Sequence, residues 1–307
     1  MNKMTSFLPY DVPEQKKIRL IVNTDAKNEA DDQFAIVHAL LTPRFNIKGI
    51  IAAHFGTKRT QTSMMESYEE CQHVLSLMGF TEEDVSLYKG ADKAMPDEKT
   101  PVPSEGAELI IREAMSDDPS PLYVIFLGTI TDLACAYLME PRIADKLTAV
   151  WIGGNKYPEG GAEFNLSNDI HAANVVMASP IPLWQVPRTV YTTIRVSLAE
   201  LALKVRPYGE IGKYLFDQMI ECNNFHAGNP RFPKGEMWSL GDSPAVSLLM
   251  DHHDYAYEER PAPRFTEDMH YVHVKTDRMI RVYHYCDPRF TLEDMFSKIA
   301  LFHASRQ

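Results

Sequence analysis

IRLIVNTDAKNEADDQFAIVHALL, residues 18–41, decides the fold. An apolar run at 18–23 empties into Asp25, Asp31 and Asp32. From Asp31 onward Phe34, Ile36, Val37, Leu40 and Leu41 recur at helical spacing. A strand, a loop and a helix in that order open an α/β unit. Three acids that begin where a buried strand ends repel one another unless a cation, a proton or a substrate relieves them. Carboxylates are what Ca²⁺ and Mg²⁺ take as ligands, so Asp25 and Asp32 read as part of a hard-metal site. Acids also gather at helix N-termini because they complement the helix dipole. That second reading covers Asp31 and Asp32 but covers Asp25 less easily, and both stand at this level.

Working outward, apolar runs at 47–53, 85–88, 122–127, 148–152 and 182–186 alternate with segments of helical period. The stripe Met64, Tyr68, Cys71, Leu75 and Met78 is core packing on one of these helices. Ser104 has the place of a helix cap after the proline-rich loop 90–104. Six strands alternating with helices predict an α/β fold with an open, mostly parallel sheet flanked by helices. Ligands in such folds bind beyond the carboxyl ends of the strands. The acids at 25–32, the loop 128–131 and the polar run 163–165 all follow strands and therefore share one rim. Residues 226–242, HAGNPRFPKGEMWSLGD, are long enough to form a lid or wall over it. Runs at 271–275 and 279–285 alternate like a hairpin, and a last amphipathic helix covers roughly 292–302. No repeat or clear linker divides the chain, so 1–307 is expected to form one domain.

Composition narrows the partners. With 307 residues, 45% of them hydrophobic, the chain can bury a large core. A formal charge of −11 argues against a broad nucleic-acid or anionic-membrane surface and suits small neutral or cationic ligands. The four cysteines form no CxxC pair and read as free thiols. No secretory apolar run opens the chain and no stretch is long enough to span a bilayer. The expected compartment is the cytoplasm.

NTDAKNEADDQFAI (23–36) resembles the aspartate-rich signature of the nucleoside hydrolase family, inosine-uridine preferring type, written DxDPGxDDAxAI, with two extra residues before the acidic pair. FLGTITDLACAYLMEPRI (126–143) is similar to the family's LGPLTNIALAL. GGAEFNLSNDIHAANVVM (160–177) is similar to AEFNxxxDPEAAxxV, and GDSPAVSLLMD (241–251) to HDPLAVAYLID. The resemblance implies the Rossmann-like nucleoside hydrolase fold and a Ca²⁺ held by Asp25, Asp32, the Thr131 backbone carbonyl and Asp242. It implies that Asp31, Glu163 and Asn165 hydrogen-bond the sugar and that Asp25 is the general base toward a calcium-bound water. The implied reaction hydrolyses the N-glycosidic bond of a ribonucleoside or related N-riboside, as in purine and pyrimidine salvage, in a homodimer or homotetramer.

Departures from the pattern are specific. Asn23 replaces the first acid, HFGTK stands where VxGN is usual, and YPEGG lacks an expected asparagine. Gly241 replaces the histidine or tryptophan that assists the departing base. His226, Trp238 and Glu236 are the nearby substitutes, with packing the favoured role for each; His54 reads equally as a substrate contact or a buried structural histidine. Tyr191 and Arg188 fall on the rim without an assigned role. A non-catalytic nucleoside or sugar binder on the same fold is the alternative. A metal-dependent phosphoesterase ranks below it, since no glycine-rich phosphate loop is present.

Overall fold

The computed structural model describes residues 4–251 and 256–307. Strand β1 (Ile18–Thr24) is buried at every residue, as a central parallel strand covered on both faces must be. The alternation continues through α1 (Asp32–Leu40), β2 (Phe45–Ala52), α2 (Ser63–Leu77), β3 (Leu87–Lys89), α3 (Glu105–Ala114), β4 (Leu122–Phe126) and α4 (Thr131–Met139). It is completed by β5 (Leu147–Ile152), α5 (Phe164–Asn168), α6 (Ile170–Ala178) and β6 (Leu183–Val186). Then come α7 (Arg188–Tyr191), β7 (Arg195–Ser197), α8 (Leu198–Lys204), α9 (Gly209–Phe225), β8 (Met237–Ser239) and α10 (Ser243–Ser247). The chain ends with β9 (Tyr257–Pro261), β10 (Arg264–Phe265), β11 (Tyr271–Val272), β12 (Met279–Tyr283) and α11 (Pro288–Ala304).

Eight strands form the main sheet in the order β3-β2-β1-β4-β5-β6-β12-β9. The first six pair in parallel throughout. β12 joins parallel to β6, and β9 closes the edge antiparallel to it. Alternate side chains feed opposite layers. Leu20, Val22 and Ile125 pack with Phe34 and Ile36 of α1 and Met295 and Ile299 of α11. Ile21, Val124 and Phe126 pack with Leu109 of α3, Leu133 of α4 and Val176 of α6. Each such fully buried chain contributes roughly 1.5–3 kcal/mol of transfer free energy. The expected cap is in place, Ser104 Oγ accepting the Ala107 N–H at 2.9 Å. Among the described residues no helix is long and apolar enough to cross a membrane.

The C-terminal strands are antiparallel as expected, but their partners differ. The run 271–272 pairs with 264–265, and 279–283 pairs with 257–261 rather than with 271–275. Ile280, Val282 and Tyr283 are buried, so β12 belongs to the central sheet. Its outer partner, YEERP, is charged and ends in proline, the composition that protects an open edge. The segment 226–242 carries β8, which pairs with β7, and it forms a wall that delivers residues 241 and 242 to the strand ends.

Candidate functional site

Between β1 and β4 the winding of the sheet reverses, leaving a crevice at the carboxyl ends of these strands. Asp25 follows β1 and Gly128 follows β4 across that crevice. A Cβ on Gly128 would lie 2.5 Å from Asp25 Cγ, so only glycine lets the two loops approach this closely. The Thr24 hydroxyl donates to Asp32 Oδ1 at 2.5 Å, fixing the start of α1 against the end of β1.

Of the residues singled out in the sequence, Asp25, Asp31, Asp32, Glu163, Asn165 and Asp242 all line one cavity here. Carboxylate oxygens of Asp31, Asp32 and Asp242 lie within 4.8 Å of one another, and all three residues are buried. Burial first, and then the neighbouring acids, push the carboxyls of Asp25, Asp31 and Asp242 well above the usual range. Asp32 is raised to about 6 by burial, against the opposing hydrogen bond from Thr24. Asp25 Oδ2 is buried without a hydrogen-bond partner. An all-oxygen donor set with repelling charges and an orphaned carboxylate oxygen fits a hard divalent cation. Thr131 opens α4 but does not line the cavity; its hydroxyl donates to Asp169 at 2.7 Å.

The far wall is built from the loop after β5. Glu163 caps α5, its carboxylate accepting N–H groups of Gly154 (2.9 Å), Leu166 (2.9 Å) and Asn165 (3.2 Å). The Tyr191 hydroxyl completes this set at 2.9 Å. Asn165 Nδ2 donates to the carbonyls of Leu127 (2.7 Å) and Ile152 (2.9 Å), which leaves its oxygen to accept from a ligand. The Gly241 N–H donates to Asp31 Oδ2 at 2.9 Å. A Cβ at Gly241 would meet the Tyr191 ring at 3.0 Å, so that ring fills the space a larger residue would take.

The proposed substitutes at Gly241 lie elsewhere. Trp238 is buried and stacks on Phe232, which in turn stacks on His226 with centroids 3.7 Å apart. Neither these residues nor Glu236 or Arg188 line the cavity. His54 is a buried structural group. Its Nδ1 accepts the Gly56 N–H at 3.2 Å, its Nε2 lies 3.0 Å from the Thr131 hydroxyl, and burial lowers its pKa to about 4. Asn23 Nδ2 donates to Asp132 Oδ2 at 2.8 Å, so the acid absent from position 23 is supplied across the sheet.

Besides the apolar Leu127 and Ile152, four cavity residues carried no role in the sequence reading: Asn28, Glu29, Phe164 and Tyr191. The first two lie in the lengthened loop 26–30, where the extra length was legible but its direction was not. Phe164 sits inside the AEFN match and is 44% exposed although it lines a cavity. Glu29 is half-buried, and burial followed by Asp32 raises its carboxyl to about 7, with Arg59 opposing.

A family model described as inosine-uridine preferring nucleoside hydrolase matches residues 20–289. The chain belongs to this nucleoside hydrolase family. An inosine-uridine preferring nucleoside hydrolase of Crithidia fasciculata is 35% identical over 103 residues, covering 32% of this chain and 30% of that one. The likeness therefore spans less than a third of that relative. Uridine nucleosidase 1 of Arabidopsis thaliana is 25% identical over 238 residues, 69% of this chain and 68% of its own. A solved purine-preferring ribonucleoside hydrolase from Gardnerella vaginalis has a TM-score of 0.75, covering 93% of this chain and 99% of that one at 19% identity. That likeness speaks to the nucleoside hydrolase fold alone.

Proposed function

We propose that this protein hydrolyses the N-glycosidic bond of a ribonucleoside or related N-riboside. The observation that carries the reading is the convergence of Asp25, Asp31, Asp32, Glu163, Asn165 and Asp242 on one cavity at the strand ends. Asp25, Asp32 and Asp242, which line the cavity, would hold Ca²⁺, and the Thr131 carbonyl is a further ligand implied by the family resemblance alone, since Thr131 does not line the cavity. When bound, that ion lowers the pKa of water and neutralises the acids. Asp31, Glu163 and the free oxygen of Asn165 accept hydrogen bonds from sugar hydroxyls. Asp25 takes the proton of the attacking water. As the bond to the base lengthens, positive charge develops on the sugar ring, and the surrounding carboxylates stabilise it electrostatically. We place the enzyme in the cytoplasm as a single-domain homodimer or homotetramer.

Purified protein incubated with inosine, uridine and other ribosides in the presence of calcium should release reducing sugar. No release from any riboside would remove the reading. Gly241 favours a second reading, a non-catalytic binder, because the position offers no group to assist the base. Calorimetric nucleoside binding without cleavage would select it.

A further inference from the structure

Loop 26–30 is two residues longer than the family pattern, and it is held by bonds from four directions. Arg59 donates to the carbonyls of Lys27 (2.6 Å) and Asn28 (2.8 Å) from the loop after β2. Lys27 Nζ reaches Glu70 Oε2 on α2 at 2.7 Å. Gln33 of α1 donates to Ala26 O at 2.5 Å, and Gln218 of α9 to Ala30 O at 2.8 Å. None of these bonds uses the Glu29 carboxylate, which faces the cavity with Asn28. The loop is a fixed device that adds one acid to the site.

Two further observations concern the base. Among the described residues, no lysine, arginine or histidine lines the cavity, and Gly241 contributes no side chain. The Tyr191 hydroxyl is committed to Glu163 and is held far above its ordinary pKa, by burial first and then by Glu163. A neutral nucleoside base leaves as an anion unless it receives a proton, and no lysine, arginine or histidine of the lining supplies one. Six carboxylates line the cavity: Asp25, Glu29, Asp31, Asp32, Glu163 and Asp242. A divalent cation would offset two of the charges that these groups carry when ionised. Phe164, 44% exposed, adds to the same lining an aromatic ring, the kind of group on which a flat cation stacks.

We propose, resting on the hydrolase reading above, that this site selects N-ribosides whose base is positively charged, such as a pyridinium or N-alkylated ring, with Glu29 recognising the charge. As the C1′–N bond breaks, its electron pair returns to the ring nitrogen and cancels the positive charge. The water oxygen forms the new bond to C1′, and its proton goes to a carboxylate of the site. The base departs neutral with no proton delivered to it. Arg59 and Arg188 are the cations beyond the rim. Arg59 is tied to the loop backbone, and Arg188 lies outside the cavity lining.

The test uses the full chain with calcium and three pairings: 7-methylguanosine against guanosine, and nicotinamide riboside against inosine and against uridine. Each rate is divided by that of the same compound without enzyme. The charged compounds should show kcat/KM enhancements at least a hundredfold above their neutral counterparts. Glu29→Gln should lower kcat/KM at least tenfold more for the charged compounds than for the neutral ones, mainly through KM. Equal enhancement of neutral and charged compounds overturns the selectivity while keeping the hydrolase. A Glu29→Gln loss as large for inosine as for nicotinamide riboside also overturns it, assigning Glu29 to proton donation or to structure. Circular dichroism and thermal midpoint identify a variant that fails to fold, in which case the wild-type ratios decide alone. No cleavage of any compound ends both readings.

Discussion

Asn23 and Asp132 are 109 residues apart and meet through one hydrogen bond of 2.8 Å in the core. The family signatures DxDPGxDDAxAI and LGPLTNIALAL, which the chain resembles, have an aspartate where Asn23 stands and an asparagine where Asp132 stands, so against that pattern the pair is exchanged. Asn23→Asp alone sets two buried carboxylates against each other and should cost roughly 3–5 kcal/mol in chemical denaturation. Adding Asp132→Asn should return most of the loss, a coupling of about 2 kcal/mol. Purely additive losses would show that the two positions do not compensate. Asp25 is tested by Asp25→Asn, expected to lower kcat by roughly 10²–10⁴-fold in saturating calcium with the fold intact. A variant within threefold of wild type would place the base elsewhere.

Elements show which parts of the design were readable. Buried parallel strands carry apolar runs, so β1, β2 and β4 through β6 were legible and the rim followed from topology, whereas β3, a half-buried edge strand of sequence LYK, overlaps the expected run 85–88 only in part. β9 was not, because YEERP has an edge strand's charge and lacks an apolar alternation. The three-residue ribbons β7 and β8 are too short to show a period. The acids, Glu163 and Asn165 were legible from motif and spacing, whereas Glu29, Tyr191 and the Asn23–Asp132 bond depend on contacts between distant segments. Two predictions belong here. Ser104→Ala removes the cap of α3 and the 2.6 Å bond to Asp132, and should cost about 1–2 kcal/mol by denaturant titration. A loss under about 0.3 kcal/mol would mean that water replaces the cap. Arg59→Ala should speed hydrogen exchange in loop 26–30 at least tenfold and leave exchange in β1 unchanged. Unaltered loop exchange would assign the rigidity to Glu70 and Gln218.

At the scale of the whole molecule, the acid cluster opposes folding until a cation or protons neutralise it. Asp32 and Glu29 are raised to about 6 and about 7 from ordinary values of 3.8 and 4.5. A group raised on folding stabilises fully below its unfolded value, and that stability is lost as pH rises through the folded value. Calcium-free protein should therefore gain stability from these groups as pH falls from about 7 to about 4. His38, lowered by burial to about 4, acts in the opposite sense but equally with and without the ion. The difference in Tm between calcium-loaded and calcium-free protein isolates the cluster. It should be largest near pH 7, worth about 2.7 kcal/mol at a hundredfold excess over Kd, and should shrink as pH falls. A difference independent of pH would remove the cation from these acids. The cluster also sets an order of events. The bond from Gly241 to Asp31 joins residues 210 apart, and Asp242 supplies the third carboxylate. At roughly 5–20 residues per second, Asp242 emerges from the ribosome roughly 10–40 seconds after Asp31. Until then the nascent chain holds only part of the proposed ligand set, so uptake of an ion by these acids would mark the moment at which the segments around Asp31 and Asp242 have docked.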